Sequence, residues 1–250
     1  MKNVFIALMG IFLSLLAWYL LADIFVVSSP MLLPPVVKVF QKLYALLSSG
    51  TLVTDLVATL YRWSIGFSLG ACVGIVLGLV LGSSKTIYSI VEIPLEFLRS
   101  LPVTAIFPLF LLVFGIGDES KIAMAFLPTC LLVLVNTAYG VLYASPERRR
   151  MAKSFGATAL QIFSRITIFE AIPQIFIGLR LAVSLSLVVT VVSEMFIGTD
   201  FGLGQRVYDS YLTSAVTTLY AVLIVLGVLG YLSNKVLLFI EKRYIFWAGR

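Results

Sequence analysis

Long apolar runs separated by short polar breaks dominate the pattern along the chain. A helix crossing a bilayer needs about 20 mostly apolar residues. The first such run covers residues 4–27. Lys2 precedes it, as at the start of a signal peptide, but Trp18, Tyr19 and Asp23 stand where a small-residue cleavage site would be, so a retained helix is predicted. Ser28-Ser29-Pro30-Met31-Leu32-Leu33-Pro34-Pro35 then forms an extended break. Val36, Val37, Phe40, Leu43, Tyr44 and Leu47 recur at helical spacing around Lys38, Gln41 and Lys42, which predicts an amphipathic helix lying on the membrane surface. Further runs cover residues 56–81, 99–117, 122–143, 175–197 and 215–240, giving six predicted spans in an all-α integral membrane protein.

Within the second run, Gly66, Gly70, Gly74 and Gly78 fall four residues apart. Such a stripe lets another helix approach closely in lipid, where packing drives association. It is a common pattern and specifies no particular function.

Composition strengthens the membrane assignment. The chain is 60% hydrophobic and 12% charged, with a mean hydropathy of +1.07. Soluble domains are about 45–50% apolar and about 25% charged. The net charge of +6 resides largely in short segments between apolar runs, where it sets topology rather than binding nucleic acid. A cytoplasmic N-terminus places Lys2, Lys85, Arg99, Arg148, Arg149, Arg150, Lys153, Arg165, Lys235, Lys242, Arg243 and Arg250 at or near the inner face. The outer face then receives Lys38, Lys42, Arg62, Lys121 and Arg206, while Arg180 lies within the start of the fifth span. The positive-inside rule favours this arrangement, with both termini cytoplasmic.

Candidate chemistry is sparse. Histidine is absent, which excludes a Ser/His/Asp set and His-based metal sites; Cys72 and Cys130 read as apolar filling. There is no Gly-Lys-Ser/Thr phosphate loop, and no cofactor is implied. Glu92/Glu96 and Asp118/Glu119 read as solvated turn residues. Glu194 is the only acid well inside an apolar run, about 5 Å from the outer end of its helix. It either pairs with a neighbouring helix or serves an outer gate.

The longest stretch unsuited to a bilayer runs from Arg148 to Arg165 and holds five cations. Residues 151–155 continue a helix, and Gly156 supplies the positive φ that ends it. Residues 157–166 then form a second short helix with Leu160, Phe163 and Ile166 on one face. Gln161, Ser164 and Arg165 point elsewhere. Physics alone permits either a surface helix with topology-setting arginines or a docking element.

Residues 98–110, Leu-Arg-Ser-Leu-Pro-Val-Thr-Ala-Ile-Phe-Pro-Leu-Phe, continue into Phe114-Gly115-Ile116-Gly117 and Ser120-Lys121. With Leu60-Tyr61-Arg62, Glu194-Met195 and Gly202-Leu203-Gly204, in that order, they resemble the membrane subunit of binding-protein-dependent ABC importers of the nitrate, sulfonate and taurine class. The resemblance covers the chain from about Leu33 onward. Ala152, Gly156 and Pro173 match the family's cytoplasmic signature, whereas Arg150 replaces its Glu, Met151 its first Ala and Phe169 a frequent Pro.

The resemblance implies a type I ABC importer permease (MetI-like) fold, with residues 1–50 as an N-terminal helix plus interfacial helix. Residues 51–250 would be the permease core, with a coupling loop at 145–172. Arg150, Ala152, Lys153, Gly156, Ala157, Leu160, Gln161, Phe163 and Arg165 are its implied contacts with a cytoplasmic ATPase dimer. Pro102, Pro108, Glu194 and Met195 are candidate pathway or gate residues. An extracytoplasmic solute-binding protein and a second permease copy, preferentially identical, complete the assembly in the inner membrane. The permease itself performs no catalysis. A small anion such as nitrate, taurine or an alkanesulfonate is the first substrate expectation; a vitamin or its precursor is the alternative. The rival from another class is a stand-alone secondary transporter or channel.

Overall fold

The structure, a computed structural model, describes residues 2–24 and 33–244. Helix α1 (Lys2–Tyr19) runs into a π turn at Leu20–Ile24, followed by α2 (Val36–Ser48), α3 (Thr51–Gly82) and α4 (Lys85–Ser100). A 3-10 turn at Val103–Ala105 leads to α5 (Phe107–Phe114), α6 (Asp118–Leu142), α7 (Pro146–Ser154) and α8 (Ala159–Ile162). A second π turn, Phe163–Thr167, joins α8 to α9 (Ile168–Ile197), and α10 (Leu203–Leu212) and α11 (Val216–Tyr244) follow.

Among the described residues, four helices are long and apolar enough to cross a membrane: α3, α6, the continuous Ala159–Ile197 helix and α11. The first predicted span is helical through Ile24, and its last residues, 25–27, lie outside the described residues. The third is not one helix. Pro102 lacks an amide hydrogen and holds Leu101 extended at ψ 127°, so α4 stops at Ser100. Helix α5 restarts with Pro108 in its first turn, where the missing N–H costs nothing, and ends at Gly115. The 85–117 segment is therefore a broken apolar segment made of α4, a 3-10 turn and α5.

Three further expectations change. The helix that carries the fifth span begins at Ala159, because the second helix of the basic loop continues into it through the π turn. Glu92 and Glu96 lie on α4 rather than in a turn, and Asp118 and Glu119 form the first turn of α6, where acids complement the helix dipole. Helix α2 forms as predicted, but it buries Val39 and Leu46, with Leu43 beside them, while Val37, Phe40, Tyr44 and Leu47 stay exposed. Its buried stripe packs with Leu52, Leu203, Ala221 and Val222, so α2 is seated on α11. Trp18 of α1 joins this group, its ring 5.7 Å from that of Tyr220 and its Nε1 donating to the Pro34 carbonyl.

Helix α6 occupies the centre, with α3 on one side and α9 on the other. The glycine stripe of α3 makes the first contact possible. A Cβ on Gly74 would lie 2.7 Å from the Cys130 carbonyl oxygen, and one on Gly78 would lie 2.5 Å from the Thr137 Cβ. Gly66, Gly70 and Gly82 are equally close to α6, so the stripe extends one position beyond the predicted four.

Candidate functional site

The ends of α3, α6 and α9 and the start of α10 converge on Arg62. Its Nε donates to Asp118 Oδ1 and its Nη1 to Glu194 Oε1, both at 2.7 Å. Nη1 also donates to the Phe201 carbonyl, and Nη2 to Thr199 Oγ1. Glu194 is fully buried and additionally accepts from Thr59 Oγ1 and the Gly204 amide, each at 2.9 Å. Asp55, also buried, accepts from the Gly202 amide and from Arg206 Nε. Lys121, 1% exposed, donates its Nζ to the carbonyls of Ile116 and Gly117, which follow α5.

Burying a charge costs several kcal/mol, on the order of the whole stability of a domain, unless its partners are well placed. Here the network supplies them. It also explains the Gly202-Leu203-Gly204 segment. A Cβ on Gly202 would sit 2.7 Å from the Glu194 carboxyl carbon, and one on Gly204 would sit 2.2 Å from the Val191 carbonyl oxygen. The glycines let a loop backbone close over a carboxylate.

Glu194 is thus paired with a neighbouring helix, while Met195 beside it is half-buried on another face. Arg62 and Lys121, both assigned to the outer face of the membrane, are buried inside the bundle. The sequence carried one usable signal for Arg62: a charge one turn or more inside an apolar helix needs a partner. Pro102 and Pro108 flank the 3-10 turn between α4 and α5. The Phe107 and Phe196 rings, 6.1 Å apart, bring the start of α5 against the end of α9.

At the opposite end of the bundle, Ser145 caps α7, its hydroxyl accepting from the Arg148 amide. That hydroxyl also donates to Glu147, and Glu147's own amide together with this bond holds its carboxyl below the usual range. Glu170 anchors the loop from α9, accepting from the Ser145 amide and pairing with Arg148 Nε at 2.8 Å. Gly156 adopts φ 81°, as its position required. Thr158 and Gln161 then form a reciprocal capping box that starts α8.

Arg150, Lys153, Leu160, Gln161 and Arg165 are exposed, and Ala152, Ala157 and Phe163 are half-buried. The predicted Leu160/Phe163/Ile166 face is divided. Leu160 is 75% exposed, whereas Phe163 packs toward Val141, Ala171 and Ile175. Met151 and Phe155 are also exposed, at 61% and 86%, so a basic loop carries apolar tips.

Several membrane-crossing helices and a basic loop form a multi-pass membrane protein with no chemistry of its own. The class is that of a transport subunit. The chain belongs to the family of binding-protein-dependent transport system inner membrane components, whose pattern matches residues 70–245. It is 31% identical over 93% of its length to a probable ABC transporter permease protein of Brucella abortus, covering 91% of that protein. It is 30% identical to the nitrate import permease protein NrtB of Synechocystis, over 84% of this chain and 79% of that one. It is likewise 30% identical to the putative aliphatic sulfonates transport permease protein SsuC of Bacillus subtilis, over 93% and 83% respectively. A solved structure described as an amino acid ABC transporter with histidines matches with a TM-score of 0.66 at 18% identity, covering 80% of this chain and 97% of that one. The fold is that of the type I ABC importer permeases, and the protein is a non-catalytic permease subunit whose ATPase is a separate chain.

Proposed function

We propose that two copies of this chain line the pathway of an ABC importer for a small anion such as nitrate, taurine or another alkanesulfonate. In this reading both termini are cytoplasmic. Residues 1–50 form a peripheral N-terminal unit, and 51–250 the core. The broken α4–α5 segment and α1 bring the crossings to six. Residues 145–172 dock on the ATPase, with Arg150, Ala152, Lys153, Gly156, Ala157, Leu160, Gln161, Phe163 and Arg165 in or beside the contact. Pro102, Pro108, Glu194 and Met195 shape or support the outer part of the pathway.

The observation that carries this reading is the basic loop with exposed Met151, Phe155 and Leu160 in a chain that holds no nucleotide-binding motif. Apolar tips ringed by cations suit an acidic-rimmed groove on a soluble partner. The anion class is supported by the nitrate and sulfonate permeases among the relatives.

Proteoliposomes containing the permease, its ATPase and its binding protein test the proposal. ATP-dependent uptake of nitrate, taurine or ethanesulfonate is expected, with no flux from the permease alone. Flux without the ATPase would identify a stand-alone channel or secondary transporter. Gly156→Val forces a β-branched residue into the left-handed region, a strain of about 1–3 kcal/mol, and is expected to uncouple ATP hydrolysis from uptake. Unchanged coupling would remove the docking role from the loop.

A further inference from the structure

The break between α4 and α5 lies level with the middle of α6 and α9, not at either end of the bundle. Leu95 packs on Leu131, Leu134 and Val135 of α6. One turn later, Arg99, Ser100 and Leu101 line a cavity of about 260 Å³ together with Pro128, Leu132 and Leu185. Arg99, expected near the inner face, is therefore at mid-depth. An ionisable side chain beside a discontinuous helix at that depth is the usual form of a transport site.

Its bonding differs from that of the other arginines inside the bundle. All three guanidinium nitrogens of Arg62 are engaged and its side chain is 5% exposed, so it is locked. Arg180 pairs with Glu241 of α11. Arg99, 35% exposed, has Glu96 as its one polar partner among the described residues, through Nη1 alone. A guanidinium carries five N–H donors in a fork that matches two oxygens of a planar or tetrahedral oxyanion. Arg99 and Glu96 both line this cavity, whose other walls include Leu98, Val103 and Leu131, so the donors not taken by Glu96 belong to a side chain that lines it. The cavity also exceeds the size of a nitrate or sulfonate group.

We infer that Arg99 is a mid-membrane subsite for a small oxyanion, with the neighbouring Ser100 hydroxyl held back on the Phe97 carbonyl. Glu96 is its internal competitor and occupies the guanidinium when the subsite is empty. The carboxylate lies one turn away on the same helix, so an arriving anion displaces it without moving the backbone. This rests on the anion reading above and adds to it the place where the charge is recognised.

The test uses the assembled transporter with its ATPase and binding protein in proteoliposomes, with nitrate, taurine and ethanesulfonate as probes. Arg99→Gln is expected to lower uptake about tenfold or more, the scale of one charge-assisted hydrogen bond, with basal ATP hydrolysis retained. Arg99→Lys is expected to restore part of the uptake with a raised half-saturating concentration. Glu96→Gln, which frees the guanidinium, is expected to lower that concentration severalfold. Uptake by Arg99→Gln equal to the unmodified protein would overturn the subsite and leave the anion reading intact. If the unmodified transporter moves none of the three probes, the anion reading falls and the subsite with it. Should both Arg99 variants fail to assemble, Glu96→Gln decides: a lowered half-saturating concentration supports the subsite, and an unaltered or raised one rejects it.

Discussion

Glu194 shows what a single residue does in this bundle. Its carboxylate meets a guanidinium, a hydroxyl and a backbone amide from α3 and α10, with no exposure to solvent. Removing it leaves Arg62 buried with Asp118, a carbonyl and a hydroxyl, and leaves the Gly204 amide without its acceptor. Glu194→Ala is therefore expected to destabilise the bundle by about 3 kcal/mol, the low end for breaking a buried pair, because Asp118 still faces the guanidinium. The thermal midpoint in detergent reads it directly. The double variant Arg62→Met/Glu194→Leu removes both charges and is expected to recover most of the loss; a double variant worse than Glu194→Ala would show that the pair is not the main term. At this scale the sequence was only half legible. Arg62 and Glu194 both stood out, but they are 132 positions apart, and no local pattern pairs them. Gly202 and Gly204 make sense only once the carboxylate beneath them is seen.

Helices were more legible than the contacts between them. The four-residue glycine spacing on α3 announced a close helix pair, yet it did not say that α6 is the partner or that Gly82 belongs to the stripe. The break between α4 and α5 was hidden for a different reason. Averaged hydropathy treats 99–117 as one run, while Pro102, a single residue, decides that no helix passes through it. The stripe gives the clearest test. Gly74→Ala drives a methyl group to 2.7 Å from the Cys130 carbonyl, which is backbone and cannot rotate away. Overpacking of this kind costs about 1–3 kcal/mol. Gly227→Ala on α11 meets nothing within 4 Å and is expected to be neutral or mildly stabilising, since alanine is the better helix former. Equal midpoints for the two variants would show that α3 and α6 do not pack this closely in the membrane.

Across the whole molecule, one rod joins the two ends. The Ala159–Ile197 helix carries the basic loop at one end, and at the other Glu194 ties it to α3 and α10. At about 1.5 Å per residue it is nearly 60 Å long, more than a hydrocarbon core, so its lower portion stands outside the bilayer. The π turn at Phe163–Thr167 and Pro173 within α9 interrupt its regularity, the turn just where loop becomes span. A π turn amounts to one inserted residue, and it sets the rotation of everything before it relative to everything after. Deleting Ser164, which is exposed and bonds only back to the Leu160 carbonyl, would restore regular helix and turn α7 and α8 by about 100° relative to α9. Buried packing above Ala171 is untouched, so the thermal midpoint is expected to change by no more than a few degrees. If the loop docks as proposed, ATP hydrolysis stimulated by the loaded binding protein is expected to fall by about tenfold, because the face carrying Met151, Phe155 and Leu160 turns away from that contact. Full stimulation in the deletion variant would mean that the loop adapts its orientation on docking, and that the rod transmits displacement along its axis rather than rotation about it.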